Sequence, residues 1–554
     1  MRKPLAAILL LLAGAAPARA SAATVPRPKD LSVEELVGQT FMIAIDTGIA
    51  DAREADIRAG RLSGGLLRWD RFTGDEARAF AVKMRAWSRD SPHRIPFWIA
   101  ADYEGGAVAG QHGYGLARFP GNMALGAAGS EELARESARE TARELRALGV
   151  SIAFAPDLDL SSKPSPIIGI RAYGDEPALA ARLGAAAVRG YQEGGVLAVP
   201  KHFPGHGGTP RDSHRSRPVD ARTRAELDAA DLVPFRAAFA AGAEAVMPAH
   251  VVFPALDPAP GRPATLSSAT LQGFLRGELG FRGLIVTDSL DMAAITDVYG
   301  SSESAVLALL AGDDVLLIGK GDSPAAFAAV VDAVKTGRVP RARLEDAVGR
   351  ILEAKRRLGL FGAPDPAGLD DALLAPGRDA ARRAAEAAVT LVRDDGLLPL
   401  RLRPEEKLAL VVVRTTRYPA EAAFFAAEIA RRHARTIFID LPDISPGPRA
   451  IDAAVARVRG AAVVIVGTFQ YGDPALRGQT ALLRRLTAGP APVVAVSLMD
   501  PYDLTVSKGA RAAICTYGMT ESALTAAARL IFGEIRPRGR LPVRLPAVGP
   551  ADGT

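Results

Sequence analysis

The sequence predicts two α/β domains in series, a (β/α)8 barrel of the TIM type followed by an α/β/α sandwich. Between residues 30 and 360, eight short β-prone apolar runs alternate with longer stretches that are rich in Ala, Leu and Arg. Charged or polar residues follow most of these runs, as they do at the strand ends where barrel enzymes build their active sites. A second series of five β-prone runs, separated by helical stretches, occupies the remainder of the chain.

The predicted barrel domain covers residues 28–362. A doubly wound open sheet is the alternative, but such sheets have fewer strands and a Gly-rich turn after the first strand, which this sequence lacks. Helical stretches are predicted at 131–148, 177–192, 223–241 and 268–279. The eight predicted strands are 41–45, 65–69, 97–101, 152–156, 196–199, 245–248, 284–287 and 315–318.

The predicted sandwich domain covers residues 380–548 and follows a linker at 363–379. The linker is predicted because Gly362, Pro364 and Pro366 interrupt the preceding helical pattern. No P-loop motif occurs in this second half, so a nucleotide site of that kind is not expected. A helix is predicted at 380–388, strands at 408–413, 436–439, 462–466, 493–498 and 512–516, and a last helix at 522–532.

Composition and the amino terminus predict an exported globular protein. The 554 residues carry a net charge of only +6, and the Arg residues are spread along helical stretches, which does not indicate a nucleic-acid partner. Residues 1–20 resemble a signal peptide, with Met1-Arg2-Lys3, an apolar run and the small-x-small site Ala18-Arg19-Ala20. We therefore expect a periplasmic or secreted protein with no stable membrane insertion after cleavage. The single Cys515 cannot form an internal disulfide.

The segment from Lys201 to His214, KHFPGHGGTPRDSH, is the densest cluster of titratable groups. Three of the seven His residues of the chain lie in it, directly after the fifth predicted strand. Its Gly and Pro residues exclude a continuous helix, so we predict a loop at a strand end. Asp212 and His214 can meet if the chain turns at Ser213, and a nearby carboxylate orients a proton-transferring histidine.

The other predicted barrel strands also end in polar groups. So many titratable ends together favour a polar ligand such as a carbohydrate or a phosphate compound. Asp288 follows a buried-strand pattern, and such a carboxylate can be a nucleophile, a base, a metal ligand or a helix N-cap. These strand-end residues are Asp46, Arg71, Asp102 with Glu104, Asp157 with Asp159, Lys201 with His202, His250 and Asp288.

Metal and serine-hydrolase chemistry have weaker support. His202 and His206 are four residues apart, but Pro204 and Gly205 prevent them from sharing a helical face. The sequence contains no HExxH motif and no thiolate cluster of a zinc site. A GxSxG motif, which would mark a nucleophilic serine on a strand–turn–helix elbow, is also missing.

Several motifs together resemble one family. In the barrel they are GGLLRWDR at 64–71, DYEGG at 102–106, FPGNMALG at 119–126, IAFAPDLDL at 152–160, GIRAYGDEP at 169–177, the KHFPGHG loop with its Asp-x-His at 201–214, and TDSLDM at 287–292. VTLVRDDGLLPL at 389–400 and FGEIRPRGRLPV at 532–543 add two motifs in the second domain. With these motifs the chain resembles the bacterial β-N-acetylglucosaminidases of glycoside hydrolase family 3, in their two-domain form.

The resemblance implies a role for each site residue. It makes Asp288 the nucleophile of a retaining mechanism and His214 the general acid/base, oriented by Asp212. It implies that the sugar hydroxyls are held by Asp102, Arg171, Lys201 and His202, with His250 lining the pocket. It implies no metal and no organic cofactor. The substrates would be small carbohydrates, with N-acetylglucosamine released from peptidoglycan fragments (muropeptides) or chitooligosaccharides.

One residue departs from the family pattern, and other activities remain open. The family usually has Arg after Glu-Gly-Gly, where this chain has Ala107, and its absence could relax substrate preference. The alternatives on the same fold are a β-glucosidase or β-xylosidase, and a phosphorylase that transfers the sugar to phosphate. A cell-wall sugar-binding protein is the non-enzymatic alternative, although the chain retains both the nucleophile and the acid/base.

Overall fold

The computed structural model describes residues 25–68, 71–108, 114–162, 167–209, 211–415, 418–471 and 477–545. The predicted signal peptide and Trp69, the predicted end of the second strand, lie outside these residues. Within them, no helix is both long enough and apolar enough to cross a bilayer. The chain folds into two α/β domains, each with its own sheet and apolar core.

The first domain is an α/β barrel of parallel strands, as predicted. Its sheet runs in the order β5-β4-β3-β2-β1-β9, and β6-β7-β8 completes the ring through a parallel bridge between Val286 and Val315. The strands are β1 Phe41–Ile45, β2 Gly64–Leu67, β3 Trp98–Ala101, β4 Ile152–Ala153, β5 Leu197–Ala198, β6 Lys201–Phe203, β7 Ala245–Pro248, β8 Leu284–Ile285 and β9 Leu316–Ile318.

The fifth barrel position is one strand interrupted at Val199-Pro200. β5 pairs with β4, whereas β6 pairs with β7. The backbone ladder continues across the interruption, because Lys201 N–H donates to Pro156 O at 3.1 Å and Met247 N–H donates to Pro200 O at 3.0 Å. Pro200 has no N–H of its own, which accounts for the local break. Lys201 and His202 therefore sit within a paired strand and not in a loose loop.

Side chains from alternate strand positions fill the barrel interior, as expected for a packed (β/α)8 core. This inner cluster includes Met42, Trp98, Ala100, Ile152, Leu197, Met247, Leu284 and Leu317. A larger apolar layer lies between the strands and the surrounding helices. Those helices are α1 Val33–Thr40, α2 Thr47–Ala52, α3 Glu54–Arg58, α4 Gly74–Arg89, α5 Asn122–Ala128, α6 Glu131–Ala147, α7 Pro177–Glu193, α8 Arg224–Ala229, α9 Leu232–Ala240, α10 Ala293–Ala311, α11 Ser323–Lys335 and α12 Arg341–Arg357, with a π-helix at Ala269–Glu278.

One predicted helix is two helices. The stretch 223–241 separates into α8 and α9 with a break at Ala230 and Asp231. Pro234 explains the break, because proline lacks the N–H that would bond to the residue 230 carbonyl and its ring clashes with that carbonyl. Asp231 at the break is buried and pairs with Arg222 at 2.6 Å. The prediction of one continuous helix was therefore wrong at this point.

The second domain is a parallel sheet with one antiparallel edge strand, flanked by helices. The strand order is β10-β15-β14-β13-β11-β12, and only β10 runs antiparallel to its neighbour. β10 adds a sixth strand to the five predicted. The strands are β10 Thr390–Asp394, β11 Lys407–Val413, β12 Thr436–Leu441, β13 Ala461–Thr468, β14 Val493–Ser497 and β15 Ala512–Cys515, and the helices are α13 Asp371–Ala388, α14 Glu421–Arg432, α15 Pro448–Arg457, α16 Arg477–Thr487 and α17 Glu521–Ile531.

Helix α13 begins within the predicted linker. Asp370 caps it by accepting the N–H of Leu373 at 2.8 Å. Pro376 lies inside this helix, which is why the sequence pattern placed the start later. The preceding residues pack along the barrel, since Gly368 N–H donates to Ala147 O at 2.9 Å. Only the first half of the predicted linker is therefore non-helical.

Residues 540–545, here called the C-terminal strap, run back from the sandwich across the barrel. Arg540 N–H donates to Ala127 O at 3.0 Å, and Asp175 N–H donates to Pro542 O at 3.0 Å. Arg544 N–H donates to Asp175 Oδ2 at 2.8 Å. The fit is close, since a Cβ added to Gly126 would lie 1.7 Å from Tyr173 O and 3.3 Å from Pro542 Cβ.

We predict that Gly126→Ala destabilises the protein by roughly 1–3 kcal/mol, because the methyl group overpacks this junction. The matched control is Gly349→Ala in α12, where the nearest atom to the new Cβ is Pro28 Cγ at 3.9 Å. That change should stabilise the protein by up to ~1 kcal/mol through helix propensity. Thermal unfolding of both variants tests the difference, and an unchanged melting temperature in Gly126→Ala would contradict it.

Candidate active site

Two adjoining cavities open at the carboxyl ends of the barrel strands. The inner cavity has a volume of about 270 Å³, and the outer one about 850 Å³. Asp102, His214 and Asp288 line both of them. The inner cavity is also lined by Glu104, Val108, Ile167, Arg171, Lys201, His202, His206, Ser213 and Tyr471, and the outer one by residues of β1, β2, β9 and the start of α10.

A buried cluster of charges forms the floor of the inner cavity. Glu104 accepts two hydrogen bonds from Arg171, at 2.9 Å from Nε and 2.8 Å from Nη2. Its Oε1 also lies 2.7 Å from Lys201 Nζ, and Lys201 in turn donates to Asp102 Oδ1 at 2.9 Å. The side chains of Glu104 and Lys201 are only 2% and 4% exposed. We call Glu104, Arg171 and Lys201 the floor cluster.

The turn after β3 places Glu104 in this cluster. Gly105 and Gly106 follow it with φ of +79° and +57°, a left-handed backbone that favours glycine. A Cβ on Gly106 would lie 2.5 Å from Gly121 Cα, so the two chain segments approach too closely for a side chain. The DYEGG motif thus places Glu104 between two cations that come from distant parts of the chain.

The floor cluster is ionised. Burial would raise the pKa of Glu104, but Arg171 and Lys201 hold it well below the usual carboxyl range. Burial would likewise lower the pKa of Lys201, but Asp102 and Glu104 raise it above its ordinary value. The two cations thus present fixed N–H donors to the cavity, which suits hydrogen bonding to a hydroxylated ligand.

Asp157 and Asp159 follow β4 and contact Arg171 and His202 on the side away from the cavity. Asp157 Oδ2 lies 3.2 Å from Arg171 Nη2, and Asp159 Oδ2 lies 2.6 Å from His202 Nδ1. Burial lowers the pKa of His202 to about 4, so its ring is neutral at pH 7. Burial also raises the pKa of both aspartates.

Asp157, Asp159 and His202 could also hold a metal ion, since their ligand atoms all lie within 4.8 Å of one another. These side chains already have partners within the protein, however. His202 is bonded to Asp159, and the guanidinium of Arg171 faces Asp157. A second cation there would be repelled by Arg171 at short range. We interpret the trio as hydrogen-bonded support for His202 and Arg171.

Asp288 lies beyond the end of β8, where both cavities meet. Its Oδ1 accepts the N–H of Ser289 at 2.7 Å, and its Oδ2 lies 3.9 Å from His202 Nε2. Burial alone would raise the pKa of Asp288, but His250, His202 and Lys201, in that order of effect, lower it to about 2. Asp288 is thus an ionised carboxylate beside the space for a ligand.

Asp212 and His214 form a hydrogen-bonded pair at the cavity mouth. Asp212 Oδ1 lies 2.7 Å from the backbone N of His214 and 2.9 Å from its ring Nδ1. A carboxylate in this position accepts from Nδ1–H and leaves Nε2 to exchange protons. The His214 side chain is 59% exposed, whereas that of Asp212 is 20% exposed. The turn at Ser213 that the sequence required is present.

Ser213 anchors the loop that carries this pair. It is buried, and its Oγ lies 3.0 Å from His206 Nε2. Its carbonyl accepts the N–H of Ala294, at the start of α10, at 3.2 Å. His206 is fixed in turn, because its backbone N–H donates to Asp159 Oδ1 at 2.7 Å. The pair is therefore tied both to the floor of the cavity and to the helix that follows Asp288.

His250 differs from the expectation of a pocket-lining residue. It is buried, and it is not among the described residues that line either cavity. Its ring nitrogens lie 2.7 Å from Thr265 Oγ1 and 3.0 Å from Ser289 O. Both nitrogens are thus engaged within the protein, which leaves none for a ligand. His250 holds the backbone beside Asp288, and we correct its assignment as a substrate-binding residue.

The structure adds two residues to the predicted site and explains the departure at Ala107. The sequence places Glu104 at a strand end but does not indicate its role in the site. Tyr471 comes from the sandwich domain, and no pattern in the sequence connects it with the barrel. Ala107 is 4% exposed and packs in an apolar cluster that includes Met123, Ile170 and sandwich residues. The second domain therefore covers the position where the family usually has Arg.

Comparisons with known proteins agree over nearly the whole chain. Residues 32–354 match the model of the glycosyl hydrolase family 3 N terminal domain, and residues 388–550 match that of the family 3 C-terminal domain. Beta-hexosaminidase A of Pseudoalteromonas piscicida is 31% identical over 428 residues, which are 69% of this chain and 70% of that protein. Beta-hexosaminidase of Thiobacillus denitrificans is 41% identical over 263 residues, 46% of this chain and 71% of that protein.

Among solved structures, a glycoside hydrolase family 3 β-N-acetylglucosaminidase from Paenibacillus sp. is similar with a TM-score of 0.85 and 34% identity. The match covers 93% of this chain and 99% of that one. The similarity therefore includes both domains and the way they are joined.

We predict that Glu104→Gln lowers the free energy of unfolding by about 3 kcal/mol, because it leaves two buried cations undercompensated. The control is Glu193→Gln at an exposed ion pair with Arg135, where the side chains are 35% and 51% exposed. That change should cost at most ~1 kcal/mol. Urea unfolding at pH 7 measures both.

The pH dependence of this effect has a definite sign. The pKa of Glu104 is lowered from an ordinary value of 4.5, so its stabilisation is complete above that pH and is lost as the pH falls below it. The stability difference between the wild type and Glu104→Gln should therefore shrink at pH values below about 4.5. A difference that stays constant into that acid range would show that the charge of Glu104 is not what stabilises the floor.

Proposed function

The chain belongs to glycoside hydrolase family 3 and is a glycosidase, and from this we propose that it is a retaining β-N-acetylhexosaminidase. Its substrates would carry a β-linked N-acetylglucosamine at the non-reducing end, as in peptidoglycan fragments and chitooligosaccharides. Support for this sugar comes from relatives that are named beta-hexosaminidase and β-N-acetylglucosaminidase.

The proposed mechanism rests on one observation. An ionised carboxylate, Asp288, and a histidine held by a carboxylate, His214, line the same two cavities. A retaining glycosidase needs a nucleophile and an acid/base of this kind on opposite sides of one bond. Here the second group is His214 and not the more usual carboxylate, so no carboxylate pair has to share the site.

In the first step, we propose, an oxygen of Asp288 attacks the anomeric carbon while the bond from that carbon to the leaving oxygen breaks. His214 gives the proton on Nε2 to the leaving oxygen, and Asp212 stabilises the ring through Nδ1–H. The products of this step are the free leaving alcohol and a glycosyl ester on Asp288. The low pKa of Asp288 keeps it anionic and ready to attack.

In the second step a water molecule attacks the anomeric carbon and gives a proton to Nε2 of His214. The ester bond breaks, Asp288 regains its charge, and the sugar leaves with the anomeric configuration of the substrate. Meanwhile Arg171, Lys201, His202 and Asp102 hold the ring hydroxyls. The fixed charges of the floor cluster need no reorganisation during the reaction, which is the condition for efficient electrostatic stabilisation.

We predict that Asp288→Ala lowers kcat/KM on an aryl N-acetyl-β-glucosaminide by roughly 10³-fold or more, since it removes the nucleophile. His214→Ala should lower it by roughly 10²-fold or more, since it removes proton transfer. The matched control is His93→Ala, a partly exposed histidine that lines neither cavity. His93→Ala should keep wild-type kinetics.

Mass spectrometry after reaction with a slow fluorosugar analogue of the substrate gives an independent readout. A glycosyl adduct on the peptide that contains Asp288 is expected in the wild type and not in Asp288→Ala. Turnover of Asp288→Ala at the wild-type rate, or an adduct on a different carboxylate, would refute the mechanism.

Substrate and product analysis distinguish the proposed activity from two alternatives on the same fold. A β-glucosidase or β-xylosidase would prefer aryl glucoside or xyloside over the N-acetylglucosaminide. In that branch a carboxylate from the second domain usually acts as acid/base, but among the described residues Tyr471 is the sandwich residue that lines the inner cavity. A phosphorylase would form a sugar phosphate in phosphate buffer. Free N-acetylglucosamine as the sole sugar product in phosphate supports hydrolysis.

We also propose that the enzyme acts outside the cytoplasm. The support is the signal-like pattern of residues 1–20, which end in Ala18-Arg19-Ala20. Expression of the full chain in a bacterial host should yield a mature protein whose amino-terminal sequence begins at Ser21. Full-length protein retained in the cytoplasm would contradict this.

A further inference from the structure

The inner cavity is completed by a residue of the second domain. Tyr471 lines it together with the floor cluster and Asp288. Arg171, whose guanidinium is paired with Glu104, lines the same cavity as Tyr471. Tyr471 is partly exposed, so one side of the ring borders open space.

The residues before Tyr471 are held firmly. Phe469 N–H donates to Gln479 Oε1 at 2.8 Å, and Gln479 Nε2 donates back to Phe469 O at 2.8 Å. Gln470 O accepts the N–H of Asp500 at 3.1 Å. The Phe469 ring is buried and packs on Tyr418 with the ring centroids 5.6 Å apart. Tyr471 therefore extends from a fixed point after β13.

The barrel loop that carries Arg171 is held by the same domain. A Cβ on Gly169 would lie 3.4 Å from Asp500 Oδ2, so the sandwich touches this loop two residues before Arg171. The Tyr502 hydroxyl lies 3.4 Å from Ser161 Oγ, and the C-terminal strap bonds to Asp175 just after the loop. Tyr471 and Arg171 are thus positioned relative to each other by contacts that do not involve a ligand.

We propose that Tyr471 is a sugar-contacting residue, and that the second domain thereby forms one wall of the sugar pocket. This inference rests on the proposed function, since it takes the ligand to be the N-acetylglucosaminyl ring. The phenol hydroxyl hydrogen-bonds to a ring substituent next to the one bound by Arg171, and the aromatic face covers the apolar side of the ring. Tyr471 binds the sugar and takes no part in proton transfer, which His214 and Asp288 perform.

The test compares Tyr471→Phe and Tyr471→Ala with the wild type on an aryl N-acetyl-β-glucosaminide. Loss of one hydrogen bond should raise KM of Tyr471→Phe by roughly three- to tenfold. Tyr471→Ala also loses the ring contact and should raise KM by roughly tenfold or more. In both variants kcat should stay within about twofold of the wild type, because the nucleophile and the acid/base are intact.

Gln470→Ala is the matched control, since it alters the neighbouring side chain on the same segment and that side chain does not line either cavity. It should leave KM unchanged. Thermal unfolding of each variant separates loss of fold from loss of binding, and Tyr471→Phe keeps the test valid if Tyr471→Ala does not fold. Unchanged KM in a folded Tyr471→Phe and Tyr471→Ala, or a fall in kcat alone, would overturn the proposal.

Failure of the proposed function gives a different result. If the wild type does not cleave the N-acetylglucosaminide but does cleave an aryl β-glucoside, the proposed substrate is wrong. The same KM comparison on the glucoside then still decides whether Tyr471 contacts the sugar.

Discussion

The structure of the site depends on one buried interaction, the carboxylate of Glu104 bonded to both Arg171 and Lys201. Taking three charges out of water is costly, and the cost is offset only if they remain in contact with good geometry. The barrel provides that geometry from the turn after β3, the start of β6 and the long loop after β4, and the glycines after Glu104 allow the turn that it requires. In return, the cluster gives the cavity a set of donors with fixed direction and fixed charge. Lys201 of the floor cluster also contributes to the low pKa of Asp288, after the larger effects of His250 and His202.

The side chains of Asp212 and His214 are more exposed than those of the floor cluster. Hydrogen bonds nevertheless connect their loop to Asp159, which lies beside that cluster. The connection runs from Asp159 through the backbone of His206 to its ring, and from that ring to Ser213. One aspartate therefore positions His202 and also the base of the loop that carries His214. Under the proposed mechanism a change at Asp159 would alter binding and proton transfer together, which makes this residue a poor choice for separating the two.

Most of the fold and many of the residues that line the candidate site could be predicted from the sequence, because local patterns indicate strands and strand ends. The strands at Phe41–Ile45 and Ala245–Pro248 have the predicted bounds because their apolar runs coincide with the paired segments. The break at Ala230 is indicated in the sequence by Pro234, although the Ala- and Leu-containing pattern of 223–241 favours one helix. The early start of α13 was hidden by Pro376; the helix lies close to the barrel at the next residue, where a Cβ added to Gly377 would lie 3.1 Å from Ala117 Cβ and 3.2 Å from Phe119 Cζ. The pairing of Glu104 with Arg171, the engagement of His250 with Ser289 and the position of Tyr471 all depend on long-range contacts. No local pattern records such contacts.

The C-terminal strap has a consequence for how the two domains can be used separately. It carries the last described residues of the chain back to the loop beside Arg171, while Met123, Ala124 and Ile170 of the barrel pack in the apolar cluster of the sandwich. A barrel produced alone would present these apolar side chains to solvent and lose restraints on its own ligand loop. Neither domain can therefore be exchanged independently of the other. Transplanting this barrel into another protein, or exchanging its sandwich for that of a relative, would require the strap and the barrel surface around Gly126 to be moved as one unit.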